Sequence, residues 1–251
     1  MTLTLQTRRS VLWVWLIAAI MVILAAVVGF GVWFVGAKGH WDEQRRICQA
    51  ISKNGGNVAY EHDLPQSPPT SFRFHVMRRL FGIDSCDSVA QVEFPPGTAN
   101  DALMNGLSRL RSLTYLDVGN SVVTDAGLNN IDALNNLVSL TLSDTQITDA
   151  GLKSLCRLQS LYRLDLDGTN VTDAGLAELT SLRNLQWLSV CKTKVTTAGL
   201  LRLASLPNLR AILVTVRRQG PLDWEKLRAL PNADVIVGND DRGNLKFKGE
   251  Y

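Results

Sequence analysis

Histidine is scarce in this chain: three residues in 251, His40, His62 and His75, all in the first third. Beyond residue 75 there is no imidazole to serve as a general base or to ligate a metal. The sequence has no H-E-x-x-H motif and no glycine loop leading into Lys-Ser/Thr, which removes the common zinc-protease and phosphate-cradling signatures. His62 stands between Glu61 and Asp63 and reads as part of a solvated charged loop. The four cysteines, Cys48, Cys86, Cys156 and Cys191, form neither a C-x-x-C pair nor a Cys/His cluster, which argues against a zinc site or a disulfide-rich scaffold. Pairing of Cys48 with Cys86 stays open, since it depends on an oxidising compartment. A net charge of +3 is too small to point to nucleic acid.

Charge is also missing from one long stretch. Residues 11–35, "VLWVWLIAAIMVILAAVVGFGVWFV", carry none. As a helix they would extend about 37 Å, enough to cross a hydrocarbon core about 30 Å thick with some tilt. Trp13 and Trp15 near one end and Trp33 and Trp41 near the other suit the two membrane interfaces. A cleaved signal peptide is the rival reading, and "TRRSVL" at 7–12 resembles a twin-arginine export motif. The run is much longer than a signal-peptide core, and its small-residue site at Val35-Gly36-Ala37 lies at the far end, so the segment reads as a single-pass anchor. Arg8 and Arg9 precede it, and Lys38, Arg45 and Arg46 follow it. The positive-inside tally is therefore balanced. The expected orientation places the short N-terminal tail in the cytoplasm and the bulk of the chain outside it.

The rest of the chain is organised by a repeat. Leu113, Leu137, Leu161, Leu185 and Leu209 follow a step of 24 residues, as do Leu116, Leu140, Leu164, Leu188 and Ile212. The unit reads L-x-x-L-x-L-x-x-T-x-V-T-D-A-G-L-x-x-L-x-x-L-x-x. Weaker copies place Val89, Val92 and Phe94 one step upstream, and Ala233 and Ile236 one step downstream. L-x-x-L-x-L alternates at period two and predicts a short strand; G-L-x-x-L-x-x-L has helical spacing. "VTDAGL" joins them: Thr172 as N-cap, Asp173 at the positive end of the helix dipole, Gly175 allowing close coil packing. Thr145, Thr169 and Thr193 are placed to bond loop backbone that would otherwise be buried unpaired.

This unit resembles the leucine-rich repeat, and its T-D-A-G-L form resembles bacterial relatives of the cysteine-containing subtype. The layout also resembles bacterial proteins with an N-terminal membrane helix, on the strength of "EQRRICQAISKNGGNVAY" (43–60) and "VMRRLFGIDSCDSVAQVEF" (76–94). The resemblance implies a fold and brings no known activity. The expected architecture is an α/β solenoid of about six strand–helix units behind one transmembrane helix and a small cap. Its divisions are a basic tail (1–10), the membrane helix (11–35), a juxtamembrane and capping region (36–88), the repeat domain (89–238) and a polar tail (239–251). Within the cap, 43–53 reads as an amphipathic helix ended by Gly55 or Gly56, 63–71 as a proline-rich loop and 72–80 as a second helix.

With no catalytic constellation, no enzyme activity, cofactor, metal or small-molecule substrate is expected. "DLDGTN" (165–170) resembles the start of a calcium loop, but its glycine is fourth and its twelfth residue is Leu176. What remains is a surface. Alternation exposes the third and fifth residues of each unit on the concave face. The third-residue column is Gln91, Tyr115, Ser139, Arg163, Trp187 and Ala211; the fifth is Glu93, Asp117, Thr141, Asp165, Ser189 and Leu213. Tyr115, Asp117, Arg163, Asp165 and Trp187 are the candidate contacts, because aromatic and arginine side chains dominate binding hot spots. Trp187 is equally accounted for by lateral contact with Arg163. The expected function is a membrane-anchored scaffold that binds a protein partner; a substrate-recognition subunit of an enzyme complex and a structural envelope protein are the alternatives.

Overall fold

The computed structural model describes residues 21, 28–29, 39, 42–60, 89–215, 222–227, 230, 234–238 and 245–246. The chain divides into two compact units, Met1–Arg45 and Arg46–Tyr251. In the first, Met21, Val28 and Gly29 are helical, and the side chains of Met21 and Val28 are exposed. No helix among the described residues is long and apolar enough to cross a membrane. Apart from those three residues, the expected span and its flanking Trp13, Trp15, Trp33 and Trp41 lie outside the described residues, as do the loop 63–71 and the helix 72–80.

In the second unit, the described residues form one sheet of nine strands lying side by side in chain order. They are β1 (Asn57–Tyr60), β2 (Val89–Glu93), β3 (Tyr115–Asp117), β4 (Ser139–Thr141), β5 (Arg163–Asp165), β6 (Trp187–Ser189), β7 (Ala211–Val214), β8 (Asp234–Gly238) and β9 (Leu245–Lys246). Strands β2 to β8 are parallel, and an antiparallel strand borders them at each end. One strand per coil, joined by a helical return, gives an α/β solenoid. Each of β3 to β7 turns its second residue inward: Leu116, Leu140, Leu164, Leu188 and Ile212 are fully buried. Leu161, Leu166, Val171, Leu176, Leu179 and Leu182 complete the buried set of one coil. The outer helices, such as Asp149–Leu155 and Asp173–Glu178, are far too short to persist alone, so stacking supplies their stability.

The word T-D-A-G is an interlock between coils. Thr148 caps its own helix by accepting from the N–H of Ala150, and Thr172 does the same for Ala174. The carboxylate of Asp149, one coil back, accepts from both Thr172 donors, the backbone N–H at 2.7 Å and the hydroxyl at 2.6 Å. Asp101 clamps Thr124, Asp125 clamps Thr148 and Asp173 clamps Thr196 in the same way. The glycine makes room for this carboxylate: a Cβ on Gly175 would collide with Asp149, and one on Gly199 with Asp173. Asp173 thus does more than face the helix dipole. Thr197 ends the series, and its hydroxyl accepts from the N–H of Asp223 at 2.9 Å.

Two further ladders finish each coil. Thr145, Thr169 and Thr193 are buried and donate to the carbonyls of Leu142, Leu166 and Val190 at 2.6–2.7 Å, satisfying groups that water cannot reach. Asn136, Asn184 and Asn208 donate to the carbonyls of Arg111, Gln159 and Arg183 in the preceding coil at 2.8–2.9 Å. After each of β2 to β6 the chain turns through a left-handed residue, at Gly97, Asn120, Asp144, Gly168 and Lys192. The strain at Lys192, roughly 1 kcal/mol, is carried by the stack around it.

The ends of the stack are covered. Residues 42–53 are helical, Gly55 takes φ +79° just after the helix, and Ile51 is buried against the core with Ile47 and Cys48 beside it. Strand β1 lies antiparallel on β2, so 46–60 covers the first coil. Cys48 is a free thiol, while Cys86 lies outside the described residues. The far end differs from the 24-residue step. Val235, and not Ile236, pairs with Ile212 and is 2% exposed. Leu230 keeps the 24-residue step from Leu206, so one residue has been lost between Leu230 and β8.

Asp149→Ala removes two hydrogen bonds to a charged acceptor and is expected to lower unfolding free energy by about 2–3 kcal/mol. Gly175→Ala is expected to cost about 1–3 kcal/mol through overpacking. Because both act on one contact, the alanine at 175 should cost much less when Asp149 is already alanine. A denaturant double-mutant cycle measures this; additive losses would contradict the interlock.

Candidate functional site

The concave face follows from the same alternation that buries the leucines. Cα pairing lines up Gln91, Tyr115, Ser139, Arg163, Trp187 and Ala211 in one column and Glu93, Asp117, Thr141, Asp165, Ser189 and Leu213 in the next. The stack therefore brings the five candidates onto one surface, as the 24-residue step predicts.

Two of these residues meet directly. The Arg163 guanidinium lies over the Trp187 ring, 3.9 Å from its centroid, across the β5–β6 pair. Arg163 is exposed and Trp187 half-buried, so a contact of this kind contributes about 0.5–1 kcal/mol. The indole is thus held by its neighbour and is not a free anchor. Tyr115 and Asp117 form a second, looser pair: the phenol donates to Asp117 over a long 3.4 Å, while the other carboxylate oxygen accepts from the N–H of Gly119 at 2.9 Å. Burial, followed by the charges of Asp117 and Glu93, pushes the Tyr115 phenol up, so it stays neutral.

Asp165 repeats the Asp117 geometry, accepting from the N–H of Asp167 at 3.0 Å. Burial raises its carboxyl from the ordinary 3.8 to about 6; the Asp167 N–H opposes the rise, and the Asp167 charge adds to it. The repeat register reads Asp167, like Asp165, as an outward residue of the inner strand, but the strand ends at Asp165. Asp167 lies just past the strand and reaches sideways, accepting from the Ser189 hydroxyl at 2.5 Å and the Cys191 N–H at 2.7 Å. "DLDGTN" is therefore a joint between coils, with both carboxylates engaged by protein donors. Ser189, expected on the open face, is 1% exposed because this joint covers it. Burial, with Asp167 beside it, pushes the Cys191 thiol up to about 12, far from the range of a nucleophilic cysteine. The signal for the joint was present in the sequence as a column of small or polar residues, Gly119, Ser143, Asp167, Cys191 and Thr215. Thr215 acts in it too, accepting from the N–H of Lys192 at 2.8 Å.

Comparison with protein families matches the Leucine Rich repeat at residues 109–131 and 133–156. The search among curated proteins found no match. Among solved structures, the chain is similar to an internalin C2 of Listeria monocytogenes, at 24% identity and a TM-score of 0.45, over 61% of this chain and 75% of that one. It is also similar to the internalin inlF of the same organism, at 20% identity and a TM-score of 0.42, over 64% of this chain and 52% of that one.

The raised Asp165 carboxyl fixes the sign of a pH effect. As pH rises from about 4 to 6, the unfolded chain loses this proton before the folded one does, so Asp165 lowers stability across that window and holds it down above it. Asp165→Asn keeps the acceptor for Asp167 and removes the charge. Its urea midpoint should exceed that of the parent at pH 7.5, with the gap closing towards pH 4. A gap that is constant with pH would contradict the assignment.

Proposed function

We propose that this chain is a membrane-anchored scaffold that recognises a protein partner through the concave face of its repeat stack and performs no catalysis of its own. One observation carries the reading. The residues that recur in every coil are consumed by the clamps, caps and buried leucines, whereas the concave columns change from coil to coil and collect Tyr115, Arg163 and Trp187. A rigid curved surface with aromatic and arginine side chains suits protein recognition. The anchor rests on the uncharged run 11–35, and the proposed side for the repeats is extracytoplasmic. Asp117 and Asp165 give the middle of the face its negative charge.

The test is capture in the native membrane. Crosslinking and pull-down with the full chain should yield a discrete partner. Replacing Tyr115, Arg163 and Trp187 together with alanine should abolish its recovery while circular dichroism and the unfolding midpoint stay near those of the parent. Undiminished recovery would place recognition elsewhere.

A further inference from the structure

Charge in the repeat stack is sorted by position within the coil. Six of the seven arginines between residues 89 and 215 lie in the stretches running into strands or at a strand's first residue, where Asp132 is the single acid. Glu93, Asp117, Asp144, Asp165 and Asp167 lie at strand ends or just past them, where Lys192 and Lys194 are the two bases. One long side of the stack is basic, and the concave floor beside it turns acidic towards the strand ends. A net charge of +3 for the whole chain conceals this division.

The basic side has a developed centre. Tyr162 and Val138 are 45% and 40% exposed, and the Tyr162 N–H donates to the Val138 carbonyl at 2.8 Å, so the two stand in adjacent coils. The same ladder continues from Gln186 to Tyr162 and from Arg210 to Gln186. Gln186 and Trp187 are thereby flanked by Tyr162 and Arg163 on one coil and by Arg210 on the other. Stacking on Trp187 occupies a face of the Arg163 guanidinium and fixes its plane, while its in-plane N–H donors remain suited to a carboxylate. Arg210 is exposed. On the far side of Arg210, Asp234 of β8 bounds the patch.

We propose that this patch docks an acidic, extended segment of a protein partner, seated across Gln186 and Trp187 with carboxylates on Arg163 and Arg210. The inference rests on the concave face being the recognition surface and names the chemistry of what it takes. Spacing supports it: two strand intervals, about 10 Å, separate the coils of the two arginines, and three residues of an extended chain cover about the same distance. Acids at positions i and i+3 therefore match both arginines, and an apolar or aromatic residue between them meets Trp187 and Tyr162. Asp117 and Asp165 repel the same carboxylates from the floor and fix which way the segment lies. An anionic lipid surface would draw on all the exposed arginines of this side, Arg111 and Arg183 included, with no demand for that spacing.

The probe is a fluorescein-labelled peptide of two Glu-Tyr-Gly-Glu blocks, titrated by anisotropy against the full chain in neutral-lipid nanodiscs. The expected result is saturable binding that weakens by about tenfold or more in Arg163→Gln/Arg210→Gln and changes by less than about threefold in Arg111→Gln/Arg183→Gln. A peptide of the same composition with its glutamates adjacent should bind more weakly. No binding, or equal loss in both arginine pairs, overturns the proposal. Binding of phosphatidylserine vesicles by the soluble face with no binding of the peptide assigns this side to lipid and overturns it too. If alanine at 115, 163 and 187 abolishes partner capture while the peptide is not held, the acidic-partner inference fails alone. If capture survives those alanines, the recognition face itself is wrong.

Discussion

Four successive junctions between coils are each held by a carboxylate that accepts two hydrogen bonds from one threonine, in a space left by one glycine. The Asp149–Thr172 contact shows the economy of the device. Thr172 accepts from Ala174 to start its own helix and gives its hydroxyl proton and its backbone N–H to the coil before it. Helix initiation and coil-to-coil attachment are therefore one event. Helices of four to seven residues, which would melt alone, begin at a defined place because the previous coil has already fixed their first residue. The buried leucines supply the driving force, but apolar burial has no direction. The clamp, the asparagine ladder and the left-handed turn supply the register.

This division of labour frees the concave columns. A side chain there meets no demand from the repeat beyond compatibility with a strand, which is what the proposed recognition role requires. The columns nevertheless are not a row of independent groups. Arg163 and Trp187 hold each other, Tyr115 leans on Asp117, and Asp165 and Asp167 brace the turn behind them. Such mutual support restricts rotamers, which under the proposed function reduces the entropy lost on binding. It also confines the open area to fewer residues than alternation alone suggests, as the burial of Ser189 shows.

The period made most of the fold legible. A constant step fixed which residues pair across strands, which are buried and where helices start, because identical words in a stack must meet one another at the same place. It could not show the reach of Asp167 to Ser189: the column Gly119, Ser143, Asp167, Cys191 and Thr215 marks the joint, but a carboxylate stands in it only once. It also missed the register of β8: Ala233 and Ile236 continue the step on paper, but a one-residue loss puts Val235 into the core. At the candidate site, the columns were readable from alternation, and the lateral Arg163–Trp187 contact from their neighbouring coils. Asp173 was legible only as a helix-dipole partner, because its acceptor role depends on a threonine 23 residues away in the next coil.

Native-state hydrogen exchange tests the clamp most directly. The backbone N–H groups of Thr148 and Thr172 belong to half-buried residues outside the strands, and each donates to an aspartate of the preceding coil. They should be protected nearly as well as the N–H of Leu142, which donates to the carbonyl of Asp165 in the next coil, and should lose that protection in Asp125→Ala and Asp149→Ala respectively. Exchange at the rate of exposed loop amides in the parent protein would contradict the clamp as the joint between coils.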